Sequence, residues 1–267
     1  IQKAALTRLD METGLRRALE CGQMRLFYQP KVDIASGEIV GAEALLRWMD
    51  EERGCIEPEE FIPIAEESDL IEELGEWVIR ETCRQNSCWQ RDGLKKIRIS
   101  LNVSPRQFGS RLVEVIASSL SENDLDGRFL ELELTESMLV QDLDVATDLL
   151  HKTRAMGVHN SIDDFGTGYS SLNHLARLPV DGLKIDRSFI KDVTEDPDVA
   201  EISRIIIELA HVLRLTVVAE GAETPGQTAF LQKHNCDTVQ GFLYSPPVDA
   251  EDFEILLRSP QFCTKTH

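Results

Sequence analysis

Leu130-Glu131-Leu132-Glu133-Leu134-Thr135 alternates leucine with a polar residue, the period-two pattern of a β-strand with one apolar and one polar face. Glu131, Glu133 and Thr135 share the polar face. Acids there are hard to solvate unless that face lines a site. Ser161-Ile162-Asp163-Asp164-Phe165 likewise carries an apolar run into acids, and Glu43, Asn102, Lys184, Glu220 and Gln240 stand just past other short apolar runs. Each run precedes a helical stretch, so these side chains gather at the carboxyl edge of one parallel sheet. Oxygen ligands collected in this way suit hard divalent cations and point to metal-assisted phosphoryl chemistry.

Strand and helix periods alternate along the rest of the chain. Strands are expected at Met24–Gln29, Ile39–Leu46, Ile97–Val103, Phe129–Thr135, Val158–Ile162, Gly182–Ile185, Thr216–Ala219 and Thr238–Gln240. Helices are expected over 10–21, from Pro58, over Ser68–Arg91, 107–121 and 139–156, near Arg177, and over 225–234 and 249–258. A further helix opens at Asp196-Pro197, with Ile202, Ile205, Ile206, Leu209, Ala210 and Leu213 on one face. About eight strands with helices between most of them fit a closed β/α barrel better than an open sheet. At 267 residues the length suits one such barrel. Three Trp and three Tyr leave an aliphatic core as the source of stability. With no linker or composition break, residues 1–267 read as one domain, and 1–14 as the end of a linker from an upstream domain.

A formal charge of −19 argues against a polymeric nucleic-acid partner, because phosphate contacts need clustered Lys and Arg. No apolar run reaches the ~18 residues of a membrane span. The chain is expected to be a cytoplasmic piece of a longer protein that could itself be membrane-anchored, making no membrane contact of its own. The six cysteines (Cys21, Cys55, Cys83, Cys88, Cys236, Cys263) show no metal spacing and read as free, mostly buried thiols.

A single acid at a strand end is usually a helix cap or a surface charge. The set is harder to dismiss, since two carboxylates ~5 Å apart repel by roughly 3 kcal/mol at an effective dielectric near 20. Either several stay protonated or cations hold them. Lys184 could orient a water, deprotonate it, or merely neutralise surplus acid.

Several blocks resemble the EAL domain family. They are Tyr28-Gln29-Pro30-Lys31, Glu43-Ala44-Leu45 with Arg47-Trp48, Pro58–Glu67, Asn102-Val103-Ser104, Glu133-Leu134-Thr135-Glu136, Asp163–Leu172, Lys184–Ile190, Ala219–Thr224 and Gln240-Gly241-Phe242. The resemblance implies a (β/α)8 TIM-like barrel with one antiparallel strand. It also implies a phosphodiesterase that linearises cyclic di-GMP to 5′-pGpG with two Mg²⁺ or Mn²⁺ ions. Carried over on the matched motifs, Glu43, Asn102, Glu133 and Asp163 hold one ion, and Asp163, Asp164 and Glu220 the other, with Asp186 counted nearby. Lys184 positions the attacking water, with Glu220 and Glu43 also in the catalytic set. Gln29, Arg47, Gln240 and Glu223 serve the substrate, and Glu136 anchors a mobile loop over Asp164–Leu172.

Ca²⁺ is expected to bind the same oxygens and inhibit. A homodimer and upstream GGDEF or sensor domains belong to the same expectation. Two departures stand out: Ala222 replaces a common Val, and Met49–Arg53 lacks a His-Pro pair, leaving that loop's shape open. Competing readings are a catalytically inactive cyclic di-GMP receptor, as in relatives that have lost ligands, and a partner-binding scaffold. No proposed ligand is missing here.

Overall fold

The computed structural model describes residues 2–136, 138, 143–166, 175–258 and 262. Its strands are β1 Met24–Asp33, β2 Ile39–Asp50, β3 Gly54–Ile56, β4 Arg98–Asn102, β5 Leu130–Thr135, β6 His159–Phe165, β7 Gly182–Ile185, β8 Thr216–Ala219 and β9 Thr238–Val239. They run in the order β1-β9-β8-β7-β6-β5-β4-β2-β3, and an added β1–β2 pairing closes eight of them into a barrel. From β2 through β4 to β9 the barrel ladders are parallel, whereas β1 is antiparallel to both β2 and β9. The expected barrel with one reversed strand is the observed fold.

The extra strand β3 was not foreseen, and it settles the shape of the Met49–Arg53 loop. Asp50 accepts backbone N–H bonds from Glu52 and Arg53 at 2.9 and 2.8 Å, and Gly54 takes φ +77°. The chain thereby reverses tightly and pairs Trp48 with Ile56. Short side-chain-to-backbone bonds of this kind favour turns over continued strand.

Helices cover the outside. They are α1 Gln2–Glu20, α2 Pro58–Glu67, α3 Leu70–Arg91, α4 Ser110–Glu122, α5 Leu143–Ala155, α6 Arg187–Lys191, α7 Pro197–Val212, α8 Pro225–Lys233 and α9 Ala250–Arg258. Helix α1 starts at Gln2 rather than at residue 10, since Ala, Leu, Lys, Gln and Arg there are strong helix formers. The start of α4 slips from 107 to 110 because Ser104 caps a separate turn over Pro105–Gln107. Part of the expected helix over 139–156, and the approach to the one near Arg177, lie outside the described residues.

In α7 the expected apolar face is rotated. Ser203, Ile206, Ile207 and Ala210 are buried, whereas Ile202 and Ile205 are exposed. Ser203 can face inward because its hydroxyl donates to the carbonyls of Val199 at 2.8 Å and Phe189 at 2.9 Å. The cysteines also need correction. Of the five described, Cys83 and Cys236 are buried, Cys21 and Cys55 exposed, and Cys88 intermediate. The exposed pair sits just past the end of α1 and in the β2–β3 hairpin, away from the core.

Candidate active site

Strand alternation sorts the residues into two environments. Leu130, Leu132, Leu134, Ile162, Leu183, Ile185, Val217, Ala219 and Val239 pack into the core beneath the helices. Their neighbours in sequence therefore face the lumen of the closed barrel. Those neighbours include Glu131, Glu133, Asp163, Lys184, Glu220 and Gln240, so the lumen is polar rather than filled with aliphatic side chains. Asp163 and Asp164 fall inside β6, which runs three residues beyond its expected end at Ile162.

Lys184 stands at the centre and is 1% exposed. Its ammonium lies 2.5 Å from Glu220 Oε1, 2.6 Å from Glu133 Oε2, 3.1 Å from Asp163 Oδ2 and 3.4 Å from Glu43 Oε2. One positive charge thus links carboxylates from three strands and from the residue just past a fourth. Burial works against its charge, but Glu133, Glu220, Glu43 and Asp163 together hold the ammonium well above the ordinary lysine range. Lys184 therefore remains a donor and does not serve as a base.

The carboxylates share this one cation unequally. Burial opposes ionisation of Glu133, yet Lys184 and Lys31 keep its carboxyl down at about 2. Burial raises Glu43, Asp163 and Asp164, with neighbouring acids adding to the effect. It also pushes Glu220 up to about 8, reinforced by Asp163, Glu43 and Glu133. The consequence for stability has a definite sign. In chelator, folded Glu220 holds a proton that the unfolded chain releases near 4.5, so the native state binds more protons between those values. Stability should fall as pH rises from about 4.5 to about 8. Thermal melts in chelator across that window check this, and a curve rising toward pH 8 would contradict it.

Asp163, Asp164 and Glu220 each offer an oxygen within 4.8 Å of the others. An all-carboxylate set of this kind fits a hard divalent cation. Asp164 adopts φ +53°, an unusual left-handed conformation for a non-glycine residue, and its N–H donates to Asp163 Oδ1 at 2.9 Å. Gly166 follows at φ +100°, and its N–H donates to Glu136 Oε2 at 3.0 Å. A methyl at Gly166 would meet the Phe189 ring at 2.7 Å, so the turn is held close against α6. The rest of the loop expected over Asp164–Leu172, from Thr167 onward, lies outside the described residues.

Glu43, Asn102 and Glu133 fall outside that tight triad. Asn102 donates to Glu43 Oε1 at 2.7 Å. Gln240 donates to Glu43 Oε2 and to Gln29 Oε1, both at 2.8 Å, and Gln29 donates to the Ser245 carbonyl at 3.1 Å. Gln240 Oε1 is buried with no hydrogen-bond partner among the described residues. Arg47 sits over the Phe27 ring at 5.8 Å, pairs with Glu57 at 3.3 Å and donates to the Leu46 carbonyl. Asp186 lies at the rim, where its Oδ1 caps α6 by accepting from Ser188 N at 3.0 Å. Glu223 is exposed at the start of α8. Ala222 is fully buried, and a methyl at Gly241 would strike its carbonyl oxygen at 2.1 Å, so two backbones meet there.

Lys31 was missed as a site residue. It is buried with its ammonium 2.6 Å from Glu133 Oε1. Strand parity with Gln29, two residues earlier on β1, is the signal that would have found it.

The family model described as EAL domain matches residues 12–247. The chain belongs to the EAL domain family. This EAL domain is 43% identical over 259 residues to the cyclic di-GMP phosphodiesterase NbdA of Pseudomonas aeruginosa, covering 97% of this chain and 33% of that protein. It is 40% identical over 247 residues to the cyclic di-GMP phosphodiesterase PdeR of Escherichia coli, covering 92% and 37%. The chain thus spans about a third of the length of these curated relatives. The structure of the PaMucR phosphodiesterase in complex with c-di-GMP superposes with a TM-score of 0.88 at 44% identity, covering 91% of this EAL domain and 99% of that chain. Among the described residues, no helix is long and apolar enough to cross a membrane.

Proposed function

We propose that this EAL domain is a metal-dependent phosphodiesterase that hydrolyses cyclic di-GMP to linear 5′-pGpG in bacterial second-messenger signalling. The observation that carries this reading is the complete carboxylate set gathered on Lys184. A receptor that only holds the nucleotide has no use for so much buried acid, which repels an anionic ligand. Asp163, Asp164 and Glu220 would hold one divalent cation, and Glu43, Asn102, Glu133 and Asp163 a second. Mg²⁺ or Mn²⁺ bound there would supply Lewis acidity and offset the carboxylate charge beside the phosphodiester.

The chain's own residues do the rest. Lys184 donates N–H to the oxygen of the attacking water, fixing it in line with phosphorus. Glu220, as the carboxylate, takes the water's proton. The new P–O bond forms as the P–O3′ bond breaks, and the departing 3′-oxygen takes a proton from solvent, leaving a 5′-phosphate and a 3′-hydroxyl. Gln240 and Asn102 hold Glu43 in place, Gln29 accepts from Gln240, and the unpartnered Gln240 oxygen accepts from substrate or water.

Arg47 is proposed to fork onto a phosphate from its perch over Phe27. Arg47→Lys should raise KM about 10-fold or more while changing kcat little, since a hydrogen bond to a charged group contributes about 1.5–3 kcal/mol. A fall in kcat alone would contradict this assignment.

Titration of Ca²⁺ into the Mg²⁺-supported reaction tests the metal reading. The oxygen set admits Ca²⁺, but its longer contacts, ~2.3–2.6 Å against ~2.0–2.1 Å, should inhibit competitively with Mg²⁺. Full turnover with Ca²⁺ alone would contradict the proposed metal site.

A further inference from the structure

Lys31 is the second buried ammonium of the lumen, and no step above uses it. It comes from the reversed strand β1, is 4% exposed, and lies 2.6 Å from Glu133 Oε1 and 4.0 Å from Glu131 Oε2. Its partner across the β1–β2 ladder is Gly41. A methyl at Gly41 would crowd the Arg98 carbonyl at 3.0 Å and meet the Lys31 stem at 3.7 Å, an ordinary contact distance, so the lysine stem packs directly against this position. Glu133 is consequently gripped at both oxygens, Oε1 by Lys31 and Oε2 by Lys184, each at 2.6 Å.

We infer that Lys31 is a positioning residue for the reaction, fixing Glu133 so that Oε2 alone is presented toward Lys184, Asp163 and Glu220. The inference rests on the phosphodiesterase reading. A carboxylate fixed at one oxygen cannot swing or chelate through both, so it enters a cation's coordination sphere already oriented. A merely structural lysine would neutralise Glu131 and Glu133 for folding and leave cation binding unchanged.

Lys31→Met alone removes a charge from a buried cluster and confounds the two roles. The decisive variant is Lys31→Met/Glu131→Gln, which removes one charge of each sign, frees Glu133 Oε1 and costs only the half-exposed Arg98 its 3.9 Å contact with Glu131. Lys31→Gln/Glu131→Gln is the second variant. Its amide is polar enough for the lumen but one bond too short to hold Glu133.

Mn²⁺ is titrated calorimetrically into the metal-free 267-residue chain without substrate, alongside thermal melting and steady-state kinetics. The folded variants should bind Mn²⁺ at least about 10-fold more weakly than wild type. At saturating metal their kcat should fall, with KM for cyclic di-GMP within about twofold of wild type. Mn²⁺ affinity within about twofold of wild type in either folded variant would overturn the inference. Failure of wild type itself to bind Mn²⁺ would instead overturn the phosphodiesterase reading on which it rests.

Discussion

Asp163→Asn should lower hydrolysis of cyclic di-GMP by on the order of 10³-fold while leaving the barrel folded. Asp163 stands where the Lys184 cluster meets the triad with Asp164 and Glu220, and it belongs to both proposed cation sets. Asparagine keeps the shape and the Oδ1 that accepts the Asp164 N–H. What it removes is the charge, together with the Oδ2 acceptor that Lys184 reaches at 3.1 Å. Burial and the neighbouring acids already push this carboxyl above its ordinary range. Neutralising it therefore relieves repulsion in the metal-free protein, and the melting temperature should hold or rise as activity is lost. Parallel melts and product assays separate the two effects. Activity above a tenth of wild type would contradict the role given to Asp163.

Lys184→Met should have the largest effect on stability. It strips one ammonium from Glu43, Glu133, Asp163 and Glu220 at once. Breaking a buried ion pair costs about 3–5 kcal/mol, which in a domain of this size lowers the melting temperature by roughly 10 °C. The deficit should depend on pH. Without the lysine the folded carboxylates hold protons to higher pH than the unfolded chain does. Stability is then lost as pH rises and partly regained toward pH ~5, where protonation relieves the repulsion. Melts in chelator near pH 5 and near pH 8 check this. A melting temperature equal to that of wild type at both pH values would contradict it.

The site was more legible in the sequence than the outer fold. Alternation of leucine with Glu131, Glu133 and Thr135 reports a polar lumen directly, because side-chain parity on a strand survives any error in its ends. The acids at the other strand ends and Lys184 follow the same parity. Lys31 lies two residues beyond Gln29, the expected end of β1, whereas the strand continues to Asp33 and carries the same parity with it. The hairpin strand β3 is short, and its three residues carry no periodic signal. Helix α7 shows the opposite difficulty. Its isoleucines fit a helical stripe, but a buried serine with two carbonyl partners shifts the true inward face. Asp186 illustrates how one residue serves two readings, since it caps α6 and still raises the carboxyl of Asp164.

The central claim is that the carboxylates gathered on Lys184 serve hydrolysis rather than ligand storage. The most direct measurement is chromatography of cyclic di-GMP after incubation with the wild-type chain and Mg²⁺. Conversion to linear 5′-pGpG over many turnovers, stopped by chelation and restored by Mg²⁺, is the result expected. Intact cyclic di-GMP recovered from a protein that binds it with Mg²⁺ in excess would contradict the claim and leave a receptor in its place.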